Sequence, residues 1–114
     1  MTSRELDLLQ GTLDVLVLRA LSWGSMHGYA VAAFIRNGSD GTFKVLDGAL
    51  YTSLHRMEER GWVESEWGTS EKKKRAKFYR LTTAGRRALR DETSSWNDYV
   101  AAVARVMTAT PELA

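Results

Sequence analysis

The chain of 114 residues, with a net charge of +2 and no cysteine, is long enough for one domain with its own core and too short for two ordinary ones. Its 44% hydrophobic and 26% charged residues are typical of a globular protein, and the lack of cysteine excludes disulfides, thiolate metal sites and a cysteine nucleophile. Because no run of eighteen apolar residues occurs and the N-terminus lacks a basic region followed by a hydrophobic one, we expect no membrane span, no signal peptide and a cytoplasmic location.

Two amphipathic helices are predicted in the first third of the chain. Apolar residues recur at intervals of three and four over residues 6–21, from Leu6 and Leu9 onwards, which predicts the first helix. The second is predicted over residues 29–35, and Asn37 and Gly38, which tolerate positive φ, are expected to end it. The segment NGSDGT reads as a loop, and residues 42–46 as a short extended piece.

The third helix has the clearest start and stop signals. Asp47 is predicted to cap it, and Gly61 follows where a left-handed residue is needed. A core face is formed by Leu50, Leu54 and Met57. The opposite face is predicted to point outwards and is polar, with Tyr51 on its flank: Thr52, His55, Arg56 and Glu59.

A basic hairpin is predicted next. Residues 62–67 (WVESEW) and 77–81 (KFYRL) have strand-like composition, and their polar connector places residues 72–75 at the tip. Nine of the sixteen Lys and Arg residues fall within residues 72–90, which contain no Asp or Glu. Such a cluster localises attraction to polyanions, although alone it is also compatible with a solvated surface turn.

The last predicted helix is long and apolar on one side. Thr82 or Thr83 is expected to cap a helix over residues 84–107, before Pro111. At 1.5 Å per residue it spans about 36 Å, more than the preceding body needs to cover itself. We therefore expect its apolar stripe to pack against a second copy of the chain. The stripe repeats every seven residues and continues in the intervening turns: Leu89, Trp96, Tyr99, Val100, Val103, Val106 and Met107.

The order helix, helix, helix, hairpin, helix predicts a mainly α fold with a small β-hairpin (α+β), a winged helix-turn-helix with a C-terminal dimerisation helix. We expect a DNA-binding domain over residues 1–82 and a dimerisation helix over residues 83–110. In this fold the third helix enters the major groove, and the hairpin, or wing, follows the backbone or enters the minor groove. The basic tip would then neutralise phosphates and release counterions.

The segments HGYAVAAFIR, DGALYTSLHRMEERGWVESEWG and RAKFYRLTTAGRRAL resemble the PadR-type transcriptional regulators, bacterial winged-helix repressors that act as homodimers. The resemblance covers nearly the whole chain, from LLQGTLDVLVLRAL to the last helix, and is to the subgroup with a compact C-terminal region. It implies a dimer built by the last helix, often with help from the first. It places the recognition-helix tyrosine at Tyr51 and wing cations at Arg75 and Lys77. Many relatives have proline where this chain has Thr52, which leaves the base sequence it reads open.

Some candidate site residues have two alternative roles. Tyr51 alternatively braces the hairpin, and Arg56 alternatively pairs with a neighbour such as Glu59. Trp96 either fills the dimer seam or, as the resemblance implies, helps to sandwich a planar hydrophobic effector. The DNA-binding candidates are Tyr51, Thr52, His55, Arg56, Lys72, Lys73, Lys74, Arg75 and Lys77, and the effector or dimer-interface candidates are Trp96, Tyr99, Val100 and Val103.

Three classes of function compete for this sequence. The first is a dimeric repressor that binds palindromic double-stranded DNA and is released by a small aromatic or hydrophobic effector or another signal. The second is a winged-helix module whose basic wing binds an acidic protein. The third, an enzyme, is disfavoured because the sequence has no paired carboxylates at a suggestive spacing, no glycine-rich phosphate loop and no metal-ligand spacing. We expect no cofactor and no metal.

Overall fold

The computed structural model describes residues 6–7 and 10–113, in which four α-helices, five short strands and a final 3₁₀ turn occur. This order confirms the predicted α+β class and its helix, helix, helix, hairpin, helix sequence. The helices are α1 (Gln10–Leu21), α2 (Gly28–Gly38), α3 (Asp47–Glu59) and α4 (Thr83–Thr108), and the 3₁₀ turn is Pro111–Leu113. The strands are β1 (Leu6–Asp7), β2 (Met26–His27), β3 (Phe43–Lys44), β4 (Val63–Thr69) and β5 (Arg75–Leu81).

The predicted hairpin is formed by β4 and β5, which pair antiparallel from Val63 opposite Leu81 to Thr69 opposite Arg75. Both strands are longer than expected. The other edge of β5 pairs antiparallel with β2, so the sheet has the order β2, β5, β4. This third strand was not predicted, because two residues are too few to show an alternating pattern. It ties the start of α2 to the hairpin.

The core lies between α1, α3 and the sheet. Leu50, Leu54 and Met57 of α3 are at most 1% exposed, which confirms the predicted core face. Burying a side chain of this size contributes about 1.5–3 kcal/mol of transfer free energy. They pack in one cluster with side chains from α1 and the sheet, which include Val17, Leu18, Leu21, Val63 and Tyr79.

The start of the first helix differs from the prediction. Leu6 lies in β1, which pairs parallel with β3 through Leu6 opposite Phe43, and α1 begins only at Gln10. Leu9 lies outside the described residues. Periodicity alone placed Leu6 in the helix because its spacing fits, whereas strand pairing with a segment 37 residues away is a tertiary event.

Two other helix ends also differ from the prediction. Asn37 and Gly38 are still helical, and positive φ occurs at Asp40 (55°) and Gly41 (79°). The Ser39 hydroxyl accepts a hydrogen bond from the Phe43 amide at 3.0 Å, which closes the turn after the helix. Asp47 is the first residue of α3 rather than its cap, since Leu46 occupies the N-cap without a side-chain hydrogen bond. The Asp47 carboxylate lies in the first turn of α3, where it interacts favourably with the helix dipole.

The predicted end of α3 at Gly61 and the predicted cap of α4 at Thr82 are confirmed. Gly61 has φ of 77°. Thr82 caps α4, where its hydroxyl oxygen accepts from the Gly85 amide at 3.0 Å and donates to the Gly61 carbonyl at 2.6 Å. The end of α3 and the start of α4 are thus held together by one side chain. Beyond Ala88, no residue of α4 is fully buried within the described chain.

We expect Gly85→Ala to destabilise the protein, because a Cβ at this position would clash with the Trp62 carbonyl oxygen, which is backbone and cannot rotate away. Overpacking of this kind costs about 1–3 kcal/mol or more. Gly48→Ala in α3 is the matched control: nothing lies within 4 Å of its added methyl. Urea unfolding should show a large loss of the free energy of unfolding for Gly85→Ala and no loss for Gly48→Ala. Equal stability of the two variants would contradict this account.

Candidate nucleic-acid interface

The outward face of α3 carries three exposed candidate residues. Tyr51, which is 50% exposed, Thr52 and His55 lie on the solvent side of the helix. The phenol of Tyr51 lies against the start of α2, where a Cβ at Gly28 would be 2.7 Å from the phenolic oxygen. Gly28 is therefore needed for this close approach. His27 next to it accepts a hydrogen bond from the Ala30 amide through Nδ1 at 3.2 Å and caps α2.

The side chain of Arg56 points towards α1 and not outwards as predicted. Its guanidinium donates to both carboxylate oxygens of Asp14, at 2.6 and 2.7 Å. The buried Ser53 hydroxyl donates to the same carboxylate at 2.6 Å. Glu59, the partner considered from sequence, lies instead 3.0 Å from His55 Nε2, on the exposed side of the helix. The Asp14 group thus fixes α3 against α1.

The wing, which consists of β4, β5 and the turn at residues 70–74, presents an ordered basic tip. The Ser70 amide donates to the Lys74 carbonyl at 2.8 Å, and the Lys73 amide donates to the Ser70 carbonyl at 2.9 Å. Lys73 adopts a left-handed conformation with φ of 59°. Arg75 belongs to β5 rather than to the tip. The connector is therefore a hydrogen-bonded turn and not a loose basic loop.

The wing cations differ in how far they are already paired. Lys77 Nζ lies 3.8 Å from Glu58 of α3, and Arg80 Nε lies 2.8 Å from Glu64 of β4. The Ser65 hydroxyl also donates to Glu58, so this carboxylate braces the wing against α3. Within the described part of the chain, no salt bridge is formed by four candidates: Lys72, Lys73, Lys74 and Arg75.

Tyr79 anchors the wing on the hydrophobic core. Tyr79 is 6% exposed, and burial, with smaller contributions from Glu58 and Tyr51, raises the pKa of its phenol. The phenol therefore stays neutral, and the stability it contributes is lost only as the pH rises above the ordinary tyrosine pKa of about 10. The returning strand is thus held by an aromatic residue that does not face solvent.

One exposed aromatic residue of this surface was missed. Tyr29 is 73% exposed at the first turn of α2, and Lys72 Nζ lies 5.8 Å from the centre of its ring. Val31 and Ile35, later in the same helix, lie on the buried face of α2. The signal was available, because Tyr29 falls outside that buried face, whereas its proximity to the wing depends on the pairing of β2 with β5.

A second candidate surface follows α4. Trp96 and Tyr99 stack with ring centres 6.0 Å apart and line a cleft of about 400 Å³ against α1, with Val15 on its other wall. Val100 and Val103 continue the stripe and are 45% and 44% exposed. The four predicted effector or dimer-interface residues therefore share one face of α4, and only the first two line the cleft.

Within residues 6–7 and 10–113, no group of three or more His, Asp or Glu side chains is positioned to bind a metal ion. In the same residues, none of the helices combines the length and the apolar character that a membrane crossing requires.

The family profile of the PadR-like transcriptional regulators matches residues 17–91. Among solved structures, a transcriptional regulator from Clostridium thermocellum is similar at 26% identity and a TM-score of 0.77, over 84% of this chain and 93% of that one. A PadR family regulator from Eggerthella lenta has 29% identity and a TM-score of 0.75, over 89% and 86%. One from Clostridium difficile has 25% identity and a TM-score of 0.71, over 83% and 97%.

We expect Arg56→Ala to lower the free energy of unfolding by about 1–3 kcal/mol, because it leaves the Asp14 carboxylate, largely shielded from water, without its cation. His55→Ala, one position earlier on the exposed side of α3, is the control and should change it by less than about 0.5 kcal/mol. Chemical denaturation measures both. A loss for His55→Ala as large as that for Arg56→Ala would refute the bracing role of the Asp14 group.

Proposed function

The chain belongs to the PadR-like family of transcriptional regulators, and we propose that it is a homodimeric repressor that binds a palindromic operator in the cytoplasm. We further propose that a small hydrophobic or aromatic effector, or another signal, releases it. As in its family, the activity is regulation of transcription and not enzymatic catalysis. The observation that carries the proposal is the basic wing tip, without salt bridges in the described chain, beside the exposed polar face of α3.

We assign different duties to the two parts of the DNA-binding surface. Tyr51, Thr52 and His55 are exposed on α3 and have groups that can reach base edges in the major groove. The wing cations supply attraction to phosphates that does not depend on base sequence. Lys77 and Arg56 remain predicted DNA contacts, and their carboxylate partners Glu58 and Asp14 favour a role in holding the wing and α3 in place.

The homodimer is supported by the unpaired length of α4. Its 26 residues span about 39 Å, and its apolar stripe is exposed beyond the second turn. The accessible surface of 8284 Å² exceeds by about 2,000 Å² the value expected for a compact monomer of this mass. Two copies together carry a surplus of about 4,000 Å², which lies within the range of about 2,000–5,000 Å² that obligate homodimer interfaces bury. We therefore keep the division into a DNA-binding domain, 1–82, and a dimerisation helix, 83–110.

The effector is proposed to bind in the cleft between α1 and α4, where the ring of Trp96 offers a flat face for stacking. Helix α1 contacts this cleft through Val15 and holds α3 through Asp14, on adjacent positions. A ligand that moves α1 would therefore shift α3 in both copies and alter the spacing of the two recognition helices. The ligand can change operator affinity by no more than the ratio of its own affinities for the two arrangements.

DNA binding is tested by titrating fluorescent duplexes, one from the region upstream of the gene and one of unrelated sequence, at several salt concentrations. Lys73→Ala should weaken both complexes by the same factor, about three- to tenfold, and lower the slope of log affinity against log salt by about one. Tyr51→Ala should instead lower the preference for the upstream duplex by about tenfold, because it removes a half-exposed side chain of α3 that we propose contacts the bases.

Arg105→Ala is the matched control for Lys73→Ala, since it removes one exposed cation near the far end of α4. It should leave both affinities unchanged. If wild-type protein retains neither duplex at low salt, DNA binding by this surface is refuted. If an acidic protein partner then loses affinity when Lys72, Lys73 and Arg75 are changed to Ala, the wing is a protein-binding module.

The dimer is tested with Val103→Glu, which places a carboxylate in the apolar stripe of α4. Sedimentation should show a dimer for the wild type and mainly monomer for this variant, because a buried unpaired charge opposes association. Ala101→Glu lies about 160° away around the helix and is the control that should stay dimeric. Dimers of equal strength in both variants would exclude this face as the interface.

A further inference from the structure

A second cavity lies between α2 and the wing tip, and none of its lining residues belongs to α4. The pairing of β2 with β5 puts His27 opposite Phe78, so the wing lies beside the first turns of α2. The space between them has a volume of about 720 Å³. Cavities that bind small molecules commonly measure about 300–1,000 Å³.

The two walls of this cavity differ in chemistry. The α2 wall is apolar and aromatic, with Tyr29, Ala33 and Phe34 among its lining residues. The wing wall is cationic: Lys72, Lys74 and Arg75 line it, against a single carboxylate, Glu71. Apolar surface and positive charge therefore face each other across the cavity.

The cations of the wing wall are held near the cavity. Lys72 Nζ lies over the Tyr29 ring at 5.8 Å, and the Arg75 guanidinium lies over the Trp67 ring at 4.5 Å. Within the described part of the chain neither side chain forms a salt bridge, so their N–H donors are available to a ligand. The turn at residues 70–74 is hydrogen bonded, so the wall exists before a ligand arrives.

We propose that this cavity binds a small amphipathic organic anion. Its apolar body would lie on the Ala33 and Phe34 wall, and its carboxylate or sulfonate would accept hydrogen bonds from Lys72 and Lys74. The occupant is an anion because the wing wall has three cations and one acid, and it has an apolar body because the α2 wall offers few polar partners.

Binding here competes with DNA, a consequence that rests on the proposed function. Lys72 and Lys74 neutralise either the ligand or DNA phosphates. The bound anion also lowers the positive charge of the tip that attracts the polyanion. The site therefore provides direct antagonism at the wing, separate from any effector in the cleft between α1 and α4.

The probe for the test is anilinonaphthalene sulfonate, whose fluorescence rises on binding, with phenylnaphthylamine as the same ring system without the sulfonate. Titrations use the full chain without DNA. Lys72→Ala combined with Lys74→Ala should weaken sulfonate binding at least fivefold and change phenylnaphthylamine binding less than twofold. Ala33→Phe fills the apolar wall and should weaken both probes at least fivefold.

Matched controls separate this site from other apolar surfaces. Arg87→Ala combined with Arg105→Ala removes two exposed cations from the face of α4 opposite Trp96, and Ala101→Phe adds a phenyl group to an exposed position on α4. Both should bind the sulfonate as the wild type does. If the lysine variant and Ala33→Phe also bind it normally, and Trp96→Ala loses it, the ligand occupies the α4 cleft and the proposal is overturned.

Competition is then measured by adding the upstream duplex to protein loaded with the sulfonate. We expect DNA to release the probe, and the probe to lower DNA affinity in proportion to its own occupancy. Simultaneous binding without mutual weakening would overturn the antagonism. Protein that binds the sulfonate at Ala33 and Lys72 but no DNA would support the site and refute the proposed function, so the two failures are distinct.

Discussion

The pairing of β2 with β5 is the constraint on which the rest of the structure depends. Only Met26 and His27 form β2, yet their bonds to β5 fix the start of α2 beside the wing. The same strand β5 pairs along its other edge with β4, which follows directly from α3. One strand therefore positions the helix-turn-helix, the wing and the cavity between them, and the buried Tyr79 holds that strand on the core.

Helix α1 packs against both α3 and α4. Its apolar side fills the core, while Asp14 on its flank accepts hydrogen bonds from Arg56 and Ser53 of α3. The neighbouring Val15 lines the cleft beside Trp96. A dimer formed through α4 would thus set the position of α1, and α1 would set the position of α3. Glu58 completes the arrangement, since it braces the wing against α3 through Ser65 and Lys77.

Most of the fold was predictable because its signals are local. Leu50, Leu54 and Met57 mark the buried face of α3 by their spacing, and Gly61 and Thr82 mark helix boundaries by their backbone and capping chemistry. The errors occur where a contact with a segment far away in the sequence determines the structure. Leu6 fits a helical period but pairs with β3. Arg56, assigned to the outward polar face of α3, is held inwards by the Asp14 carboxylate of α1.

By itself, the amino-acid sequence determined the α+β class, the order of the elements, the basic wing and the apolar stripe of α4, because each follows from residue type and short-range periodicity. Only the tertiary structure decided which cations stay unpaired. Lys77 meets Glu58 and Arg56 meets Asp14, whereas Lys72 comes to lie over Tyr29. Charge pairing depends on distances of a few ångströms between segments far apart in the chain, and such distances exist only once the chain has folded.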